Sequence, residues 1–188
     1  MFDGRFKTQI ERYVRPVGES LRRTGLSPDH FTLLGLCVAA ASAVAIGTGK
    51  MQLGLLLVIC SALPDLLDGA LAKASNSASQ RGAFFDSVVD RVSDSFLFGG
   101  VAWFYASSDT PQFSIVPFAI LGASLIISYE RAKAESLGLY AKGGLMERAE
   151  RIILLCFGLL FDSLLKWVMV VMLVLVVMTA VQRFAKVW

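Results

Sequence analysis

The sequence predicts an all-α integral membrane protein: six transmembrane helices preceded by an N-terminal amphipathic interfacial helix, with both termini cytoplasmic. Three observations predict it. Of 188 residues, 55% are hydrophobic and 18% charged, and mean hydropathy is +0.63, too apolar for a soluble domain of this length. The apolar residues gather near 30–48, 51–72, 84–105, 113–134, 148–164 and 167–186, each approaching the roughly 20 residues that cross a bilayer as a helix. Finally, with the N-terminus inside, every Lys and Arg except Lys50 and Lys166 falls in a segment on the inner side, as the positive-inside rule requires.

Residues 1–28 form the first unit. Phe6, Ile10, Tyr13, Val14, Val17 and Leu21 recur at roughly helical spacing among Arg5, Lys7, Arg12, Arg15, Arg22 and Arg23, a pattern suited to a helix lying on an anionic leaflet, with a bend at Pro16. No uninterrupted apolar core marks a cleavable signal peptide. Residues 29–188 form the second unit, the six-helix domain. Ser27 or Asp29 can cap its first helix, and Pro28 fits the first turn. His30, the single histidine, has no companion ligand and is expected at an interfacial or packed position. Cys37, Cys60 and Cys156 lie singly in apolar runs, which predicts neither disulfide nor metal cluster.

The polar stretches between helices differ by side. KASNSASQRG, residues 73–82, and ESLGLYAKGGLMER, residues 135–148, are rich in small residues and fall on the inner side. The outer loops near 48–51, 106–112 and 162–166 are brief and plain. The chemistry is therefore expected at the cytoplasmic face. No internal repeat or separate soluble domain is present, and no nucleic-acid partner is expected.

Four aspartates dominate that face. Asp65 and Asp68 are three residues apart, and Asp86 and Asp90 four apart, so each pair shares one helix face. Two adjacent antiparallel helices would bring four carboxylates together, and unpaired anions at membrane depth repel and cost free energy. A divalent cation removes the conflict, and hard oxygen ligands select Mg²⁺, Mn²⁺ or Ca²⁺. Two ions bridged by carboxylates are a recurring device for displacement at phosphorus. Gly69 allows close backbone approach, Gly82 a tight turn before the third helix, and Lys73 with Arg81 supplies positive charge for phosphates. The competing arrangement is a buried salt-bridge network with Lys73, Arg81 and Arg91. Asp94, one turn beyond Asp90, is expected to support the site rather than ligate.

These residues resemble the signature D-x-x-D-G-x-x-A-R-x(8)-G-x-x-x-D-x-x-x-D of the CDP-alcohol phosphatidyltransferase family. It runs Asp65, Asp68, Gly69, Ala72, Lys73 in place of Arg, Gly82, Asp86 and Asp90, with every spacing kept. Lys73 keeps the charge and loses the planar fork. The resemblance implies attack of an alcohol on the lipid-bearing phosphorus of a CDP-linked lipid, with CMP leaving. It implies Asp65, Asp68 and Asp86 as metal ligands, and Asp90 as ligand and general base. Gly69, Ala72, Lys73 and Gly82 would bind the CDP-lipid, and the cofactor would be Mg²⁺ or Mn²⁺, as two ions.

SYERAKAESLGL (128–139), GGLMERAER (143–151), VQR (181–183) and GLSPD near the start are similar to segments of actinobacterial phosphatidylinositol phosphate synthases within that family. This implies CDP-diacylglycerol and inositol 1-phosphate as substrates, a homodimer surrounded by membrane lipids, and a phosphate pocket of Arg131, Lys133, Arg148, Arg151 and Arg183. From the residues alone, Arg148 and Arg151 share one helix face at the cytoplasmic mouth and can clamp a dianion. Two alternatives stand beside this reading: a related transferase, either a phosphatidylglycerophosphate synthase using glycerol 3-phosphate or an archaeal-lipid inositol phosphate synthase, and an ion-coupled transporter using its intramembrane carboxylates as a relay.

Overall fold

The structure, a computed structural model, describes residues 28–62, 80–141 and 143–188. The amphipathic segment expected at 1–28 thus lies outside the described residues, save for Pro28. So do Asp65, Asp68, Gly69, Ala72 and Lys73.

The described residues are helical, without strands. Six α-helices follow in order: α1 Pro28–Gly47, α2 Met51–Ala62, α3 Gln80–Ala106, α4 Ile115–Ser136, α5 Arg148–Leu160 and α6 Leu165–Val187. Short 3₁₀ turns at Pro111–Ser114 and Asp162–Leu164 lead into α4 and α6. The chain turns sharply between α1 and α2 through Gly49, at φ 80°, and the Ser42 hydroxyl ties the two helices by donating to the Gly54 carbonyl at 3.0 Å.

Asp29–Gly47, Pro111–Ser136 and Asp162–Val187 are long and apolar enough to cross a membrane, and Met51–Ala62 is a shorter apolar helix. Helix α3 has ample length, about 40 Å at 1.5 Å per residue, but its first half carries Arg81, Asp86, Asp90, Arg91 and Asp94. Its second half, from Leu97 to Tyr105, supplies core residues. One helix thus joins a charged end to an apolar end.

Packing follows small residues. α1 runs along α3, and a Cβ on Gly100 would fall 2.7 Å from both Cα and the carbonyl oxygen of Ala43, so glycine there lets the two backbones touch. α4 packs on α3 and α6, and α5 packs on α6. Ile46, Leu97, Phe98, Ile120, Leu155, Met169 and Met172 fill the shared core. Large apolar side chains such as Leu34, Val44, Phe118, Trp167 and Val181 face outward, the surface expected of a bundle surrounded by lipid rather than water. The three cysteines are free, and His30 sits exposed in the first turn of α1.

Within the described residues the helix already includes Gln80, ahead of the 84 expected, so Gly82 lies in α3 and not in a turn before it. Gln80 and Arg81 are polar and escape an apolar window, yet helix formation does not need them to be apolar.

Candidate active site

A cavity of about 670 Å³ opens where the start of α3, the end of α4, the start of α5 and the end of α6 meet. That these four ends converge matches helices running alternately up and down. Asp86, Asp90 and Asp94 stand at successive turns of α3 and all line it. Across from them are Arg148 and Arg151 from α5, Arg131 from α4 and Arg183 from α6.

The two sides are joined by ion pairs. Arg148 places Nη1 2.7 Å from Oδ1 of Asp90 and Nε 3.4 Å from Oδ1 of Asp94. Arg151, one turn along α5, donates from Nη2 to Oδ2 of Asp94 at 2.8 Å. Both side chains of this last pair are 5% exposed, so the contact is screened little by solvent. Arg91 also approaches Asp90, at 3.5 Å, while donating to the Ser87 carbonyl at 2.8 Å.

Arg183 is buried and widely bonded. Nε donates to the Gly143 carbonyl at 2.9 Å, Nη1 to the Ile127 carbonyl at 3.0 Å, and Nη2 to the Glu147 carboxylate at 3.1 Å. One guanidinium therefore holds α6, the end of α4 and the loop before α5 in register. The loop itself turns through Gly138, Gly143 and Gly144, all at positive φ. A Cβ on Gly144 would lie 2.5 Å from Cγ2 of Thr179. The hydroxyl of that threonine accepts from the Met146 amide at 3.0 Å, fixing the residue that leads into α5.

The expected site residues fall as follows. Asp86, Asp90, Arg131, Arg148, Arg151 and Arg183 come together around the cavity. Arg131 is half-exposed and engages Glu135 at 3.0 Å. Lys133 is exposed and does not line the cavity, because two residues along a helix turn a side chain away from its neighbour's face. Gly82 lies at the start of the α3 wall, next to Ala83 of the lining.

Of the salt-bridge network weighed from sequence, the described residues show the Asp90–Arg91 contact, while Asp90 and Asp94 pair more closely with Arg148 and Arg151. Glu147, which caps α5 in extended conformation and holds Arg183, had no signal in the sequence. Asp94 had one, the third aspartate in a run spaced by four.

Asp86 and Asp90 supply hard oxygen donors one turn apart on the same wall, and these fit a divalent cation. No group of three or more ligands occurs among the described residues, where only one of the two aspartate pairs lies. The cavity lining holds six carboxylates and five guanidiniums. A divalent ion on the aspartate side would make the whole net positive, which suits anionic substrates. Nε of Arg151 is buried without a hydrogen-bond partner, a donor that an anion there could satisfy.

Comparison with known proteins agrees with this chemistry. The chain is 36% identical to phosphatidylinositol phosphate synthase of Mycolicibacterium smegmatis over 146 residues, 77% of this chain and 66% of that one. It is 35% identical to archaetidylinositol phosphate synthase of Methanothermobacter thermautotrophicus over 188 residues, 97% of this chain and 92% of that one. The crystal structure of Mycobacterium tuberculosis phosphatidylinositol phosphate synthase with CDP-DAG bound superposes with a TM-score of 0.87 at 35% identity, covering 94% of each chain. The same enzyme has also been crystallised with manganese and citrate. The profile of the CDP-alcohol phosphatidyltransferase family matches residues 26–181. These matches favour an enzyme over a transporter, and the chain belongs to the CDP-alcohol phosphatidyltransferase family.

Proposed function

We propose that this protein transfers the phosphatidyl group of CDP-diacylglycerol to inositol 1-phosphate, yielding phosphatidylinositol phosphate and CMP. The observation that carries a phosphorylated acceptor is the arginine wall, and the choice of inositol among such acceptors rests on the relatives. Arg131, Arg148 and Arg151 face the aspartates of α3 across one cavity, as an acceptor bearing its own phosphate requires. Likeness to two synthases of inositol-phosphate lipids supports the same choice.

The roles divide by wall. Asp65, Asp68, Asp86 and Asp90 hold Mg²⁺ or Mn²⁺, as two ions. When bound, the ions supply positive charge to the pyrophosphate and phosphoryl oxygens. Lys73 and the small residues Gly69, Ala72 and Gly82 accept the cytidine diphosphate. Arg148 and Arg151, with Arg131 at the mouth and Arg183 behind, hold the acceptor phosphate, while Lys133 lies too far round α4 to take a direct part. The free acceptor hydroxyl then attacks the lipid-bearing phosphorus. Asp90 takes its proton, and the bond to the CMP oxygen breaks.

Six transmembrane helices with both termini cytoplasmic, a basic amphipathic segment over 1–28 on the membrane surface, a homodimer, and a catalytic cavity open to the cytoplasm of the cell membrane complete the reading. The concentration of Lys and Arg at the cavity end supports that orientation.

The test is product identity. Purified protein with CDP-diacylglycerol, Mg²⁺ and a mixture of inositol 1-phosphate and glycerol 3-phosphate should give phosphatidylinositol phosphate as the main lipid by mass spectrometry. Phosphatidylglycerophosphate as the main product would keep the chemistry and replace the acceptor.

A further inference from the structure

We infer that Asp94 is a positioning residue that sets the two acceptor-facing arginines, Arg148 and Arg151, at their working spacing. The inference rests on the proposed pocket for a phosphorylated acceptor. Asp94 is the third aspartate on one face of α3, and it is the deepest, 4% exposed. Its two oxygens are divided between the arginines: Oδ1 takes Nε of Arg148 at 3.4 Å and Oδ2 takes Nη2 of Arg151 at 2.8 Å.

Three consequences follow from that division. First, two guanidiniums one turn apart repel each other, and a carboxylate between them offsets the repulsion. Second, Arg151 is buried, and a buried cation without a counter-charge is strongly disfavoured. Third, one carboxylate shared by two guanidiniums keeps the pair assembled without cancelling both charges; Asp90 offsets the remaining unit only while it is paired with Arg148. Arg148 also reaches Asp90 with Nη1. Its fork therefore straddles two successive aspartates, and Asp94 fixes how far that fork can swing towards the reacting hydroxyl. A neutral side chain at position 94 would remove the one carboxylate that Arg148 and Arg151 share, leaving Arg148 on Asp90 and Arg151 on the Met146 carbonyl at 3.4 Å.

The test is a split of Michaelis constants. Wild type is first run with CDP-diacylglycerol and Mg²⁺ against inositol 1-phosphate, glycerol 3-phosphate and free inositol, and the most effective phosphorylated acceptor is carried forward. If that acceptor is not inositol 1-phosphate, the proposed substrate fails while the role of Asp94 is still measured. Asp94→Asn should then raise the acceptor KM about tenfold while the KM for CDP-diacylglycerol changes less than about twofold, a tenfold change being the loss of one charge-assisted contact. Asp94→Glu keeps the charge and should recover most of this, with a rise of about threefold. In a variant lacking both guanidiniums, Arg148→Ala with Arg151→Ala, adding Asp94→Asn should have little further effect on the acceptor KM, because residues sharing one network are non-additive.

A purely structural role would lower the yield of folded protein without separating the two constants. Equal rises in both constants, an unchanged acceptor KM in Asp94→Asn, or activity only with unphosphorylated acceptors would overturn the inference. If Asp94→Asn does not fold, Asp94→Glu decides alone: its acceptor KM must rise without that of the CDP-lipid, and an unchanged value contradicts the assignment.

Discussion

Arg148 and Asp90 meet across α5 and α3 at 2.7 Å, which places the residue proposed to hold the acceptor phosphate in direct contact with the residue proposed to take the acceptor's proton. An acceptor phosphate held by Arg148 would therefore lie beside Asp90, within reach of the carboxylate proposed to deprotonate the acceptor hydroxyl.

Asp90→Asn removes the proton acceptor while keeping the shape of the side chain. Turnover should fall by about a hundredfold or more, the usual contribution of a general base, while binding of CDP-diacylglycerol, followed by titration calorimetry in detergent, should persist. Near-normal turnover would take Asp90 out of the base role.

Arg151→Ala should act twice. It removes one phosphate ligand, raising the acceptor KM by about tenfold or more, and it takes from the buried carboxylate of Asp94 its shorter ion pair, leaving Arg148 at 3.4 Å, which lowers stability by about 1–3 kcal/mol. Arg148→Ala should raise the acceptor KM similarly with a smaller loss of stability, since its side chain is 28% exposed. Steady-state kinetics and thermal unfolding in the same detergent check both. Equal increases in the KM of both substrates would count against an acceptor pocket.

Chelation should abolish CMP release, and Mg²⁺ or Mn²⁺ should restore it, because the aspartate wall needs a counter-cation before it admits a pyrophosphate. Undiminished activity in excess chelator would remove the metal from the account.

Gly144→Ala should disturb the loop before α5. The glycine lies at φ 149° and packs against Thr179, so a methyl group meets both backbone strain and a buried side chain, for a loss of about 1–3 kcal/mol. Because the displaced loop carries Arg148 at its end, acceptor KM should rise with the loss of stability. An unchanged melting temperature would show that the loop repacks without cost.

Much of this arrangement could be read from residue spacing. Helices expected at 30–48, 113–134 and 167–186 occur at Pro28–Gly47, Ile115–Ser136 and Leu165–Val187, because long apolar runs have few other ways to satisfy their backbone in a membrane. The pairing of Asp86 with Asp90 on one face followed from helical period alone.

What could not be read were contacts between distant segments. That Asp94 would anchor Arg148 and Arg151, more than fifty residues away, depends on how α3 and α5 pack. Arg183 binds the carbonyls of Gly143 and Ile127, and a backbone carbonyl leaves no mark in a sequence. Lys133 shows the converse limit: a basic residue beside Arg131 in sequence is turned away from the cavity by the helix that carries both.

The most direct test is release of radiolabelled CMP from CDP-diacylglycerol by purified protein with Mg²⁺, comparing inositol 1-phosphate, glycerol 3-phosphate, free inositol and no acceptor. Release that depends on inositol 1-phosphate and is lost in Asp90→Asn is the predicted result. Release driven equally by free inositol would contradict the phosphate pocket, and no release with any acceptor would contradict the proposed transfer reaction itself.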